Sequence, residues 1–150
     1  MNSLVAIIVG VVCVGIVLAI RLKRAKDRRE LARHCIEPEM LEHLLETGAS
    51  VLVLDVRLPL DLLAYSEIIP GAVRLAPKEI EANPELIPRD KDVVAYCTCP
   101  GEETSLEVVR KAAGLGFERI KVLRGGLAGW KAKGLPVTPF TESFHLDTAV

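Results

Sequence analysis

The sequence predicts an α/β fold with a mainly parallel central sheet flanked by helices, preceded by one transmembrane helix. Three observations carry that reading. Continuous aliphatic runs, "VLVLDVR" at Val51–Arg57 and "KDVVAYC" at Lys91–Cys97, suit strands buried on both faces. Stretches with helical spacing alternate with such runs. An uncharged apolar run stands in front of them. A chain of 150 residues accommodates one ordinary domain and an appendage.

Residues 1–3 form a short N-terminal segment. Leu4–Ile20, "LVAIIVGVVCVGIVLAI", holds 17 residues without charge or proline, at the short end of what spans a hydrocarbon core. Leu22 and the stems of Arg21 and Lys23 extend it by snorkelling. A cleaved signal peptide carries its positive charge ahead of the apolar run, whereas "MNS" has no basic side chain. The run therefore reads as an uncleaved anchor. Residues 21–35 are a basic juxtamembrane linker in which Arg21, Lys23, Arg24, Lys26, Arg28, Arg29 and Arg33 outweigh Asp27 and Glu30. Such a flank stays cytoplasmic, so the expectation is a single-pass membrane protein with its N-terminus outside and its domain in the cytoplasm. Lipid headgroups are the partner of anchor and flank, at about 1 kcal/mol per basic residue near an anionic surface. The net charge of −1 gives no sign of a nucleic-acid partner.

Residues 36–139 form the domain. Pro38 near the first helical position, Leu41, Leu44 and Leu45 on one face and Gly48 as stop predict a short helix. The Val51–Arg57 strand follows. "IIPGAVRLA" places a Pro-Gly turn before another short strand, and "PKEIEANPELIP" reads as a short helix broken at Pro84. After the Lys91–Cys97 strand, Leu106, Val109 and Ala113 mark an amphipathic helix ended by Gly116. "RIKVL" is a strand, "GGLAGWKAKG" a glycine turn into a short helix, and "LPVTP" an exit. Residues 140–150 show no pattern and are expected as a disordered tail.

Of the four cysteines, Cys13 fills the apolar run and Cys35 has no partner in the sequence pattern. Cys97 and Cys99 stand one residue apart in "VVAYCTCPGEETS", Val93–Ser105. Thr104 followed by Glu107 forms a capping box that starts the next helix at Thr104. The segment Cys97–Glu103 is thus a strand-to-helix loop at the carboxyl edge of the sheet, where open α/β folds bind ligands. Loop amides and a helix N-terminus stabilise a thiolate or a bound anion without a basic side chain.

The fragments "LDVR" (Leu54–Arg57), "IPGAV" (Ile69–Val73), "VVAYC" (Val93–Cys97), "LGFERIKVLRGGLAGW" (Leu115–Trp130) and "GLPV" (Gly134–Val137) resemble, in order and spacing, the rhodanese family. The resemblance covers about Ile36 to Pro139. It implies a rhodanese-like domain, a sulfurtransferase that moves sulfane sulfur through a cysteine persulfide. It also implies an active-site loop after "VVAYC", and a sulfur donor and a thiol acceptor as partners, protein thiols among them. Neither cofactor nor metal is expected. Zinc pairs usually have at least two intervening residues, and no histidine or further cysteine completes a site. The loop departs from the family pattern. Thr104 stands where an arginine often stands, Ile68 replaces a common histidine, and Glu102 and Glu103 add negative charge.

Position at the strand end assigns the persulfide to Cys97. Cys99 is a resolving thiol or, counting back from the helix, the nucleophile itself. Thr98, Pro100, Gly101, Glu102, Glu103 and Thr104 are the expected substrate-binding loop. Arg57 is the nearest source of positive charge, or else forms a structural brace with Asp55. The donor is thiosulfate or a protein-bound persulfide, and the two carboxylates oppose the thiosulfate dianion. A phosphatase on a related fold ranks far lower, because no arginine lies between Cys97 and Ser105. The rival from another class is a non-catalytic docking or thiol redox-sensing module at the membrane.

Overall fold

The computed structural model describes residues 2–98 and 103–141, with the side chains of 2–7, 27, 28, 30–32 and 103 excepted. The chain divides into two compact units, Met1–Arg33 and His34–Val150. The first is one helix, α1, Asn2–His34. The expected break between anchor and linker is absent: helix-favouring Leu, Ala, Arg, Lys and Glu after Ile20 keep the ladder going. Among the described residues no helix is long and apolar enough to cross a membrane, so the expected transmembrane helix at 4–20 finds no support in them. Leu4–Ile7 lie outside the residues whose side chains are described. The uncharged run Leu4–Ile20 gives about 26 Å of helix against a hydrocarbon core of about 30 Å, and Arg21, Lys23 and Arg24 follow at once.

The second unit contains β1 (Cys35–Ile36), α2 (Pro38–Glu46), β2 (Val51–Asp55), α3 (Pro59–Ala64), β3 (Glu67–Ile68), β4 (Val73–Arg74) and α4 (Pro77–Ala82). A 3-10 turn at Pro84–Leu86 leads to β5 (Asp92–Tyr96), α5 (Glu103–Gly114), β6 (Ile120–Leu123), α6 (Gly126–Ala132) and β7 (Thr138–Pro139). Five strands make one sheet in the order β1-β6-β5-β2-β4, and every pairing in it is parallel. The expected α/β class and parallel sheet are therefore present.

Alternation along the strands builds two faces. Val53, Val94, Tyr96 and Leu123 join Leu41 of α2 with Leu127 and Trp130 of α6 in one buried cluster. The Trp130 indole donates to the Pro136 carbonyl at 2.7 Å, so the exit segment is tied to α6. The alternate residues Val93, Ala95 and Val122 are also buried, and α5 packs on β5 and β6 through Val109 and Ala112.

Several elements differ from expectation. α3 and the strands β1, β3 and β7 were not expected. β3 pairs with β7 antiparallel, converting the "LPVTP" exit into a strand. The backbone of Phe140 donates to Ser66 O at 2.7 Å, so the expected tail is held at its first residue. Residues 142–150 lie outside the described residues.

Candidate active site

β5 ends at Tyr96, and Cys97 follows it fully buried, at 0% exposure. Its carbonyl accepts a hydrogen bond from Leu127 N–H at 3.1 Å. That contact requires the glycine turn before α6. Gly126 has φ +53°, and a Cβ there would lie 2.1 Å from Cys97 O. The turn is thus fitted to the strand end without room for a side chain, a role beyond the simple turn expected for Gly125 and Gly126.

Thr98 is half-buried in a bend after Cys97. Cys99, Pro100, Gly101 and Glu102 lie outside the described residues. α5 begins at Glu103, one residue before the expected start at Thr104, and the Glu107 carboxylate pairs with Lys111 at 3.1 Å. The next residue, Ser105, is fully buried. Its Oγ has no hydrogen-bond partner, a state that costs about 1–3 kcal/mol. The sequence reading missed Ser105. Its spacing of four and seven from Val109 and Ala112, on the same buried helix face, was the signal that identifies it.

Arg57 stands two residues beyond the end of β2. Its side chain is 0% exposed and every donor group is engaged. Nε donates to Asp55 Oδ1 at 2.9 Å and Oδ2 at 3.0 Å, and one terminal nitrogen closes the ion pair with Oδ2. The two terminal nitrogens also donate to Tyr65 O at 2.7 Å and Glu67 O at 3.0 Å. Burial opposes the guanidinium charge, but the Asp55 bonds outweigh it and raise the Arg57 pKa. Of the two expected roles, this geometry favours the brace. It ties the end of β2 to the chain entering β3, and Arg74 extends it by donating to Arg57 O at 2.8 Å.

Tyr96, the residue before Cys97, belongs to the same network. Its hydroxyl donates to Asp55 Oδ2 at 3.0 Å and accepts from Ile69 N–H at 3.3 Å. Burial first, and then the Asp55 carboxylate, raise its pKa, so the phenol stays protonated. The sequence reading passed over Tyr96 as a strand residue. The described cavity of about 330 Å³ between α4 and α5 lies apart from this network; of the expected loop residues it touches Thr104 alone.

A parallel strand leads into a buried cysteine, the glycine turn at the start of α6 packs against that cysteine's carbonyl, and a buried ion pair stands at the end of the neighbouring strand. The rhodanese-like domain model matches residues 37–133. A sulfurtransferase from Allochromatium vinosum is 32% identical over 102 residues, covering 68% of this chain and 92% of that protein. A tRNA sulfurtransferase from Desulfurococcus amylolyticus is 39% identical over 77 residues, 49% of this chain but 14% of the relative. Among solved structures, a rhodanese-related protein from Thermoplasma volcanium superposes with TM-score 0.59 at 25% identity, covering 70% of this chain and 97% of that one. The rhodanese-like domain of an Anabaena sp. protein gives TM-score 0.60 at 28% identity, over 78% and 87%. This chain belongs to the rhodanese-like domain family.

Proposed function

We propose that the protein is a sulfurtransferase or persulfide carrier in which a cysteine between β5 and α5 takes sulfane sulfur from a donor and passes it to an acceptor thiol. The observation that carries this reading is the placement of a two-cysteine segment between the carboxyl end of a central parallel strand and a helix start. The sulfurtransferase relatives support the chemistry. The full burial of Cys97 supports Cys99 as the attacking thiol, since reactive cysteines are partly exposed and buried ones inert. Cys97 then anchors the strand end.

Arg57 is consumed by Asp55 and backbone carbonyls, so no described guanidinium of the brace offers itself to a dianion. Glu102 and Glu103 add negative charge to the segment. Both features support a donor with less charge than thiosulfate, such as a small-molecule or protein-bound persulfide. Membrane placement through α1 belongs to the same proposal. It is supported by the uncharged run and by apolar side chains that stay exposed around the helix, Val11 at 67% and Val14 at 68% among them. The basic flank orients the domain to the cytoplasm.

Sulfur uptake by the purified chain, followed by intact mass, tests the reading. Glutathione persulfide should add one sulfur readily and thiosulfate slowly, and Glu102→Gln with Glu103→Gln should speed thiosulfate, less so at high salt. No uptake from any donor would remove sulfur transfer and leave a docking or redox-sensing module.

A further inference from the structure

The cavity between α4, the 3-10 turn and α5 has a volume of about 330 Å³, inside the range of small-molecule sites, roughly 300–1,000 Å³. Its walls include apolar side chains that the fold buries in any case: Ile80 of α4, Ile87 after the turn, Val108 and Ala112 of α5, and Phe117 beyond it. Among the described residues, the charged groups on its lining are Glu81, Glu107 and Lys111. Lys111 Nζ donates to Glu81 Oε1 and lies 3.1 Å from Glu107 Oε1, so the ammonium is held between two carboxylates. The Glu81 bond first, and then the Glu107 bond, raise the Lys111 pKa and keep it charged. Two carboxylates against one ammonium leave the lining with a net charge of −1. What this rim offers a newcomer is acceptor oxygen, because carboxylates only accept. Arg89 covers the Phe117 ring at 4.0 Å but is itself paired with Glu85, so it brings no net positive charge.

We propose that this cavity is a second binding site, for a small molecule with an apolar body and one ammonium group. The body packs against Ile80, Val108 and Phe117, and the ammonium donates to the Glu81 and Glu107 carboxylates. The site does not rest on the sulfur-transfer reading. It lies apart from the Asp55, Arg57 and Tyr96 network, and Cys97 is not on its lining. Charge selects the class of ligand. An anionic head group would meet two carboxylates and an ammonium that they already hold. An uncharged one gains the apolar contact alone. A cation gains the apolar contact and charge-assisted hydrogen bonds.

The test titrates the full-length protein with three probes that share one ring: 2-phenylethylamine, 2-phenylethanol and phenylacetate. Binding is read site by site, from the backbone amide NMR shifts of Val108, Ala112 and Phe117, which separates this cavity from apolar contact with α1. The amine should shift all three amides saturably, with a Kd on the order of 1 mM for a ligand of this size. The alcohol should bind more weakly and phenylacetate weakest. Glu81→Gln with Glu107→Gln should weaken the amine about fivefold and leave the alcohol unchanged, the scale of exposed charge pairs. Val108→Phe fills the cavity and should abolish the shifts at Ala112 and Phe117. Should that variant fail to fold, the double Gln variant still decides, because both glutamates are exposed. No saturable shift at these amides, or shifts confined to α1, would overturn the site. Phenylacetate binding as tightly as the amine, or an amine indifferent to the double Gln variant, would overturn the proposed ligand class.

Discussion

Gly126 and Tyr96 show how single residues set the floor of the site. Gly126→Ala places a methyl 2.1 Å from the Cys97 carbonyl oxygen at a φ of +53°. The strand end or the turn must then move, at about 1–3 kcal/mol. Chemical denaturation should show that loss, and sulfur loading should fall with it; an unchanged midpoint would mean that the turn does not brace Cys97. Tyr96→Phe removes the hydroxyl shared by Asp55 and Ile69 N–H. It should cost about 1–3 kcal/mol. The raised phenol pKa also fixes a pH dependence. Above the ordinary tyrosine value, 10.0, the unfolded phenol ionises while the folded one keeps its proton. The folded state then binds more protons, so stability is full below that pH and declines as pH rises further. Tyr96→Phe should lose this component of the alkaline decline, as denaturant midpoints measured across pH 8 to about 11 would reveal.

At the scale of elements, the brace joins the end of β2 to the chain entering β3, and its value lies in completeness. Arg57→Ala leaves the Asp55 carboxylate buried with Tyr96 as its remaining side-chain donor, and should destabilise by about 3–5 kcal/mol in equilibrium unfolding. A loss below about 1 kcal/mol would mean that Asp55 is hydrated in solution. This brace was half legible in the sequence: "LDVR" placed both charges at a strand end, but two readings of Arg57 fitted the pattern. The Tyr65 and Glu67 carbonyls that decide between them belong to a stretch with no periodic signal. The long strands, α2 and α5 were legible because burial on one or two faces imposes a period. The two-residue strands β1, β3 and β7 were not, since two residues cannot show one, and their pairing depends on partners 70 to 87 positions away. The same limit hid Gly126: glycine announces a turn, but not what the turn touches.

For the whole molecule, the division at Arg33 and His34 predicts that removing residues 1–33 leaves a folded domain with the melting behaviour of the parent. Aggregation of that domain would mean that α1 belongs to its core. The full chain, and not the shortened one, should float with vesicles of phosphatidylcholine and phosphatidylserine; equal partitioning of both would remove the membrane role given to α1. The alternation of strands and helices carried the parallel sheet and the position of the cysteine segment, yet it favoured Cys97 because a strand end looks like an edge in one dimension. In the folded chain the glycine turn packs against the Cys97 carbonyl, and Cys97 is 0% exposed. Which thiol holds the sulfur is the point on which the functional reading turns. Peptide mapping of the persulfide after glutathione persulfide treatment, in the wild type, Cys97→Ser and Cys99→Ser, tests it most directly. The added sulfur should map to Cys99, persist in Cys97→Ser and vanish in Cys99→Ser. Sulfur on Cys97 that survives Cys99→Ser would contradict that assignment, and sulfur on neither residue would contradict the proposed function.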